Sequence, residues 1–265
     1  MSSKGYAIFK DAKEIEIMRK SAKLSASVLT MIEEYVKPGI TTDELDRICH
    51  EYIVSHGAVP APLGYKGFPK SICTSINRVA CHGIPGDKKL SDGDILNIDI
   101  SLSIDGYFSD TCKMFLVGNV GVQGRRICEA AKLCLYRSIQ QVKPGNNIRL
   151  IGRAIEEVTK SYKYSIVKDF CGHGVGRALH QEPQILHYDD PMGESVILEP
   201  GMTFTIEPII NVGKPDVKIL SDGWTVVTKD MSLSAQYEHT LMVTEEGYEV
   251  LTLRPEESIE EIMKA

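Results

Sequence analysis

Four acidic residues stand where acids are costly. Asp99 interrupts the strand-like run Asp94-Ile95-Leu96-Asn97-Ile98-Asp99-Ile100-Ser101-Leu102-Ser103, and Asp110 interrupts the apolar run at 107–117. Glu207 closes Met202-Thr203-Phe204-Thr205-Ile206, and Glu238 lies in Tyr237-Glu238-His239-Thr240. A lone carboxylate in such a strand costs several kcal/mol unless something compensates it. Alternation puts Leu96, Ile98, Ile100 and Leu102 on one face and Asn97, Asp99 and Ser101 on the other. The same reading turns Glu207 away from Met202, Phe204 and Ile206. Four carboxylates gathered in one place would repel and raise one another's pKa. Divalent cations remove that difficulty, and oxygen-rich ligation with one or two imidazoles suits Mn, Fe, Co or Zn.

Histidines supply the imidazole. His173 lies in Cys171-Gly172-His173-Gly174-Val175-Gly176, whose glycines permit close backbone approach and unusual φ in a ligand-presenting loop. His180 follows seven residues on, and His82 lies in Cys81-His82-Gly83-Ile84-Pro85-Gly86. His50 and His56 fall on a helical stretch as packing or surface residues, and His239 alternates to the strand face opposite Glu238.

The elements that must position these groups show an internal repeat. Val36-Lys37-Pro38-Gly39 recurs as Val142-Lys143-Pro144-Gly145, and Leu90-Ser91-Asp92-Gly93-Asp94-Ile95-Leu96-Asn97-Ile98-Asp99 is echoed by Leu198-Glu199-Pro200-Gly201-Met202-Thr203-Phe204-Thr205-Ile206-Glu207. Phe108-Ser109-Asp110-Thr111 matches Tyr237-Glu238-His239-Thr240 loosely, which aligns Asp110 with Glu238 and leaves an insertion around 211–230 that holds the only tryptophan, Trp224. Helical spacing marks 12–36, 42–56 and 124–142. Thr41-Thr42-Asp43-Glu44 resembles a capping box, and Gly57 is placed to end the second helix. Residues 58–93 are rich in Pro and Gly and read as loop with short strands, and 94–103 and 107–117 read as strands joined at Asp105-Gly106. The expected architecture is one α/β (α+β) domain over 1–265, with pseudo-symmetric halves at about 12–118 and 119–252. They share a central antiparallel sheet and one cleft, with helices on the outer face.

Composition narrows the function classes. The chain has 265 residues, 43% hydrophobic and 25% charged, with a net charge of −6, so a folded core is expected and a strongly basic nucleic-acid binder is not. No run of apolar residues is long enough to span a membrane. The start carries acidic residues and no apolar region of the secretory kind. Seven cysteines without a CxxC pair read as reduced thiols, mostly buried, in a cytoplasmic protein. Gly172-x-Gly174-x-Gly176 lacks dinucleotide-binding spacing, and no GxxxxGK[ST], HExxH or GxSxG occurs. Nothing nearby marks Cys171 for activation beside His173.

Asn97-Ile98-Asp99, Ser109-Asp110-Thr111, Gly172-His173-Gly174-Val175-Gly176, Thr205-Ile206-Glu207-Pro208 and Tyr237-Glu238-His239-Thr240 resemble, in order and context, the metal-ligand set of the type I methionine aminopeptidases. The resemblance covers about residues 8–252 and implies the pita-bread fold. It also implies removal of the N-terminal methionine from nascent proteins, preferentially before a small second residue, by dimetal-activated water. By that resemblance Asp110 and Glu238 would bridge two divalent ions (Co, Mn, Fe or Zn), Asp99 would bind one, and His173 and Glu207 would complete the other. Glu207 would also move the proton. His82 would contact the substrate backbone and His180 the scissile carbonyl. Tyr65, Phe68, Cys73, His82, Leu179 and Trp224 resemble the methionine pocket. Phe68, Leu179, Pro62 and Lys66 depart from the residues common there. Asn77, Val79 and Ser234 resemble a weak site for Na or K. Nascent chains, and the ribosome that carries them, are the partners implied for a monomer with no membrane or direct nucleic-acid role. Prolidase-like peptidases and non-catalytic pita-bread modules are the rival readings. The first normally carry an added N-terminal domain, and the second lose metal ligands.

Overall fold

The structure, a computed structural model, describes residues 5–193 and 195–265. The first four residues of the segment read as lacking a secretory signal lie outside the described residues. The first half opens with α1 (Ala12–Ile32), capped by the Asp11 carboxylate, which accepts from the Lys13 N–H. A 3-10 turn, Glu33–Tyr35, ends it short of residue 36. In α2 (Thr42–Ser55) the Thr41 hydroxyl accepts from the Glu44 N–H at 3.2 Å. The capping box is only half made, because the Glu44 carboxylate turns to Arg47 instead. Gly57, at φ +74°, follows the helix in the left-handed region where a side chain would be strained. His50 packs against Ser71, and His56 stays at the surface, as expected of both.

Short strands β1 (Val59–Pro60), β2 (Cys73–Ile76) and β3 (Val79–Cys81) cross the loop-rich stretch. They lead to a hairpin of two ten-residue strands, β4 (Ile95–Ile104) and β5 (Tyr107–Leu116). Its antiparallel ladder is unbroken from Ile95↔Leu116 to Ile104↔Tyr107. Leu96, Ile98, Ile100 and Leu102 join α1 and α2 in one apolar core, so the other face of β4 carries Asp99.

The second half repeats the plan. Helices α3 (Val122–Ile139) and α4 (Arg149–Tyr162) cover β6 (Ser165–Ile166), β7 (Gly172–Gly174), β8 (Gln181–Ile185), β9 (Thr203–Ile206), β10 (Ile209–Asn211), β13 (Ser234–Gln236) and β14 (His239–Val243). The insertion folds as the hairpin β11 (Val217–Ile219) and β12 (Val226–Thr228), and β12 pairs with β3 of the first half. β15 (Tyr248–Val250) and α5 (Ile259–Lys264) complete the chain.

The echoed segments make equivalent bonds. The Gly39 N–H donates to the Leu90 carbonyl at 2.8 Å, and the Gly145 N–H to Leu198 at 2.9 Å. Gly93 donates to Val117 and Gly201 to Val243, each at 2.8 Å. The fold is α/β with two pseudo-symmetric halves meeting at antiparallel strands and helices outside, the pita-bread arrangement. One detail departs from the repeat read in the sequence. Ile98 pairs with Lys113 and Ile206 with His239, so the ladders align Glu238 with Cys112, two residues from Asp110.

Candidate metal centre

The acids sit where the two halves abut. The Glu238 N–H donates to the Cys112 carbonyl at 3.1 Å. The Asp110 N–H donates to Thr240 Oγ1, whose hydroxyl donates back to the Asp110 carbonyl. Asp99 and Asp110 project from the unbroken hairpin. Glu207 and Glu238 instead occupy paired gaps, between β9 and β10 and between β13 and β14. Pro208 has no N–H to continue the ladder there. The freed backbone lets both glutamates turn into the cleft.

His173 comes from a strand, β7, rather than a loop, and its flanking glycines have ordinary φ. Their role is close approach alone. A Cβ at Gly172 would stand 2.4 Å from the Thr205 carbonyl, and one at Gly174 2.2 Å from Glu182. The His173 Nδ1 lies 3.1 Å from the Gly174 carbonyl, which can only accept, so the proton is on Nδ1. The Nε2 lone pair then faces Glu207 Oε1 at 3.5 Å and Asp110 Oδ2 at 3.8 Å. One ligand atom from each of Asp110, His173 and Glu238 falls within 4.8 Å of the others.

Neighbours hold these groups in place. The Ser101 hydroxyl donates to Asp110 at 2.8 Å, Thr205 to Glu207 at 2.8 Å, and the Gln236 amide to Glu207 at 3.2 Å. His187, fully buried, accepts from the Glu207 N–H at 3.4 Å. Thr205 and Gln236 each lie two residues before an acid, so strand alternation in the sequence could have found them. His187 left no such signal.

Burial dominates the electrostatics. It pushes the Asp99 carboxyl up to about 6 and that of Glu207 to about 8. Asp110 and Glu238 are held well above the ordinary range by burial and by the other acids. Burial also pushes His173 down to about 3 and His82 to about 4, so both imidazoles are neutral at pH 7. His180 is lowered by burial first and by the charge of Lys66 second. Asp99 Oδ1 is buried without a hydrogen-bond partner. An unsatisfied carboxylate oxygen, crowded acids and a free imidazole lone pair fit divalent cations, which would accept all of these donors at once.

Above this floor lies a cleft of about 430 Å3. Its walls include all five acid and imidazole positions and every expected pocket residue: Tyr65, Phe68, Cys73, His82, Leu179, His180 and Trp224, with Pro62 and Lys66 at the rim. Phe68 packs edge-on against Trp224 at 5.1 Å, with His82 6.2 Å from the same indole. His82 itself adopts φ +54° and packs against Phe170. The Tyr65 hydroxyl lies 2.9 Å from His180 Nδ1, and the His180 ring stands 4.3 Å from that of His173. Cys81, Asp169, Phe170, Cys171 and Ile209 also line the cleft and were not singled out from the sequence as pocket residues. Asn77, Val79 and Ser234 lie together but outside the cleft. The Ser234 N–H donates to the Asn77 carbonyl at 2.8 Å.

Behind the site is a second, sealed cluster. Thr111 and His239, the neighbours of Asp110 and Glu238, point away from the cleft. The Thr111 hydroxyl donates to the Glu238 carbonyl at 2.8 Å, and Arg254 donates to Thr111 at 3.3 Å. Arg254 also donates to Glu257 at 2.6 Å, and Glu257 lies 3.2 Å from His239. His239 therefore serves this cluster and stays out of the cleft, as its place on the strand required.

The class that this fold and site define is the metal-dependent peptidase. A profile of metallopeptidase family M24 matches residues 16–245. The methionine aminopeptidase of Escherichia coli (strain K12) is 54% identical over 256 residues, 96% of this chain and 97% of that protein. The methionine aminopeptidase of Haemophilus influenzae is 55% identical over 251 residues, 94% of this chain and 93% of that one. The crystal structure of methionine aminopeptidase from Rickettsia prowazekii matches with a TM-score of 0.91 at 47% identity, covering 94% of this chain and 100% of that chain. The chain belongs to metallopeptidase family M24 and, within it, to the methionine aminopeptidases. No helix among the described residues is long and apolar enough to cross a membrane.

Proposed function

We propose that this chain removes the amino-terminal methionine from nascent proteins, preferentially before a small second residue, using two divalent ions held by Asp99, Asp110, His173, Glu207 and Glu238. The observation that carries the reading is the unpartnered oxygen of Asp99 beside crowded acids and the exposed lone pair of His173. Asp110 and Glu238, the most deeply buried of the four acids, would be shared by the two ions. Asp99 suits one ion, and His173 with Glu207 the other. When bound, such ions polarise the scissile carbonyl and lower the pKa of water toward neutrality.

The chain's own groups do the remaining work. Glu207, held by Thr205 and Gln236 and ionised once it faces a cation, would take a proton from water and pass it to the leaving nitrogen. His180, oriented by Tyr65, donates a hydrogen bond to the developing oxyanion. Neutral His82 holds the substrate backbone. The carboxylates read the free α-amino group and so confine attack to the first residue. Tyr65, Phe68, Cys73, Leu179 and Trp224 grip the thioether, which packs well against rings and sulfur.

Residues 1–265 act as a single catalytic domain, with halves at about 12–118 and 119–252, and work as a monomer in the cytoplasm, at or near the ribosome. Asn77, Val79 and Ser234 offer a weak place for Na or K. A peptide assay tests the central reading: Met-Ala-Ser with added Co, Mn, Fe or Zn against an Xaa-Pro peptide. Turnover of the first and not the second is expected. Cleavage of the Xaa-Pro peptide, or turnover undiminished by chelation, would overturn it.

A further inference from the structure

One wall of the cleft climbs from the acids to solvent in three steps. His173 meets His180 at 4.3 Å, His180 meets Tyr65 at 5.2 Å, and the Lys66 amino group stands 5.3 Å from the centre of the Tyr65 ring. Lys66 is the one lysine or arginine among the lining residues, which include five carboxylates. It is exposed and makes no salt bridge to any described residue. Its backbone sits at φ +45° between two glycines of positive φ, Gly64 and Gly67. A lysine in that region is strained, and such strain collects at sites that handle ligands. The turn sets an ammonium group with no ion-pair partner among the described residues over the Tyr65 ring, on the wall of a cleft whose other charged side chains are carboxylates.

We infer that Lys66 is a specificity-determining residue that recognises a carboxylate on the substrate beyond the scissile bond, carried by an acidic side chain near the third residue or by the free C-terminus of a short peptide. The inference rests on the proposed peptidase reading, in which the scissile carbonyl meets His180. From that point the two ring steps place Lys66 no more than about three extended residues outward, at roughly 3.3 Å per residue, within reach of a side chain on the third residue. Without it, the outer part of the cleft, above the proposed ions, would offer an acidic substrate segment no positive side chain. With it, the approach of an acidic segment is favoured while the methionine pocket and the acids below are unchanged. An exposed ion pair of this kind contributes on the order of 0.5–1 kcal/mol, a two- to five-fold effect.

The test compares Met-Ala-Asp-Gly, Met-Ala-Asn-Gly and Met-Ala-Lys-Gly, each with free and amidated C-termini, on the metal-loaded enzyme. The readout is the ratio of kcat/KM between acidic and neutral peptides, with the neutral amidated peptide as reference in every variant. Wild type is expected to favour the aspartate peptide two- to five-fold, through KM, with the preference shrinking as salt rises. Lys66→Ala should bring the ratio to one, and Lys66→Glu should reverse it in favour of the lysine peptide. If the amidated set shows the preference, a side chain is the ligand. If only the free-acid set does, the ligand is the C-terminal carboxylate. Equal ratios in wild type, Lys66→Ala and Lys66→Glu would overturn the inference while turnover of the neutral peptide leaves the peptidase reading standing. No turnover of any peptide would instead refute that reading.

Discussion

Replacing Asp110 with asparagine should act in opposite directions with and without metal. In the metal-free protein Asp110 is buried beside Asp99, Glu207 and Glu238, and its carboxyl is held well above the ordinary range. At pH 7.5 the unfolded chain carries it ionised, so folding must either protonate it or confine its charge. Protonating an ordinary aspartate at that pH costs up to ~5 kcal/mol, at about 1.4 kcal/mol per pH unit. Relaxation and shared protons reduce this, and about 1–3 kcal/mol is the net expectation. Asparagine avoids the cost and keeps the contact that matters, because its Oδ1 can still accept from Ser101. For a chain of this length about 1 kcal/mol corresponds to roughly 2 °C in Tm, so metal-free Asp110→Asn should melt about 2–6 °C above metal-free wild type. Metal reverses the order. At a thousand-fold excess over Kd, binding stabilises wild type by about 4 kcal/mol, or roughly 8 °C. The variant, missing a central ligand, should show almost none of that rise and no turnover. Calorimetry in chelator and then in Mn or Co reads both arms. A variant that melts below wild type in chelator, or gains as much from metal, would refute the picture of mutually repelling acids waiting for cations.

Other outcomes follow from the same geometry. His180→Ala should lower kcat about 100-fold, the scale of a lost oxyanion donor, while metal content measured by elemental analysis stays near wild type; unchanged single-turnover rates would remove its role. The metal-free protein should lose stability as pH rises from about 6.5 to about 8. Glu207, raised to about 8, binds a proton in the folded state that the unfolded chain has already released, so stability is lost through that window. Below about 6.5 the buried neutral histidines act in the opposite sense, giving a maximum near neutrality, and a chelated sample whose Tm climbs steadily to pH 8.5 would contradict this. Gly174→Ala should destabilise by about 2 kcal/mol or more, because its Cβ would collide with the Glu182 carbonyl in the neighbouring strand; denaturant melts giving wild-type midpoints would show that the strands can part freely.

Much of this was legible because chemistry and strand period coincide. Asp99 and Glu207 break apolar runs in echoed segments, and alternation alone turns them toward a common side. Helices α1, α2 and α3 announced themselves by spacing, and Thr41 and Gly57 by their types, while α4 and α5 were not marked. What stayed hidden depends on contacts between distant residues. The two-residue slip between the ladders cannot be seen in a linear echo, because it is set by which strands pair. Nor does His173 reveal from its glycines that it sits on a strand. Glycine signals permissiveness, while here the need is for two neighbouring backbones to come close. His187 and the Arg254 cluster lie in segments whose polar residues look ordinary until the fold buries them.

That last cluster carries a consequence for how the protein comes to life. Every proposed grip on the ions has been encoded by residue 238, yet the strands bearing Asp110 and Glu238 are braced from behind by Arg254 and Glu257. During synthesis from the amino end, a growing copy therefore owns its ligands before it owns their buttress. Clipping the final dozen residues, far from the open mouth of the cleft, would return a finished molecule to that half-built condition.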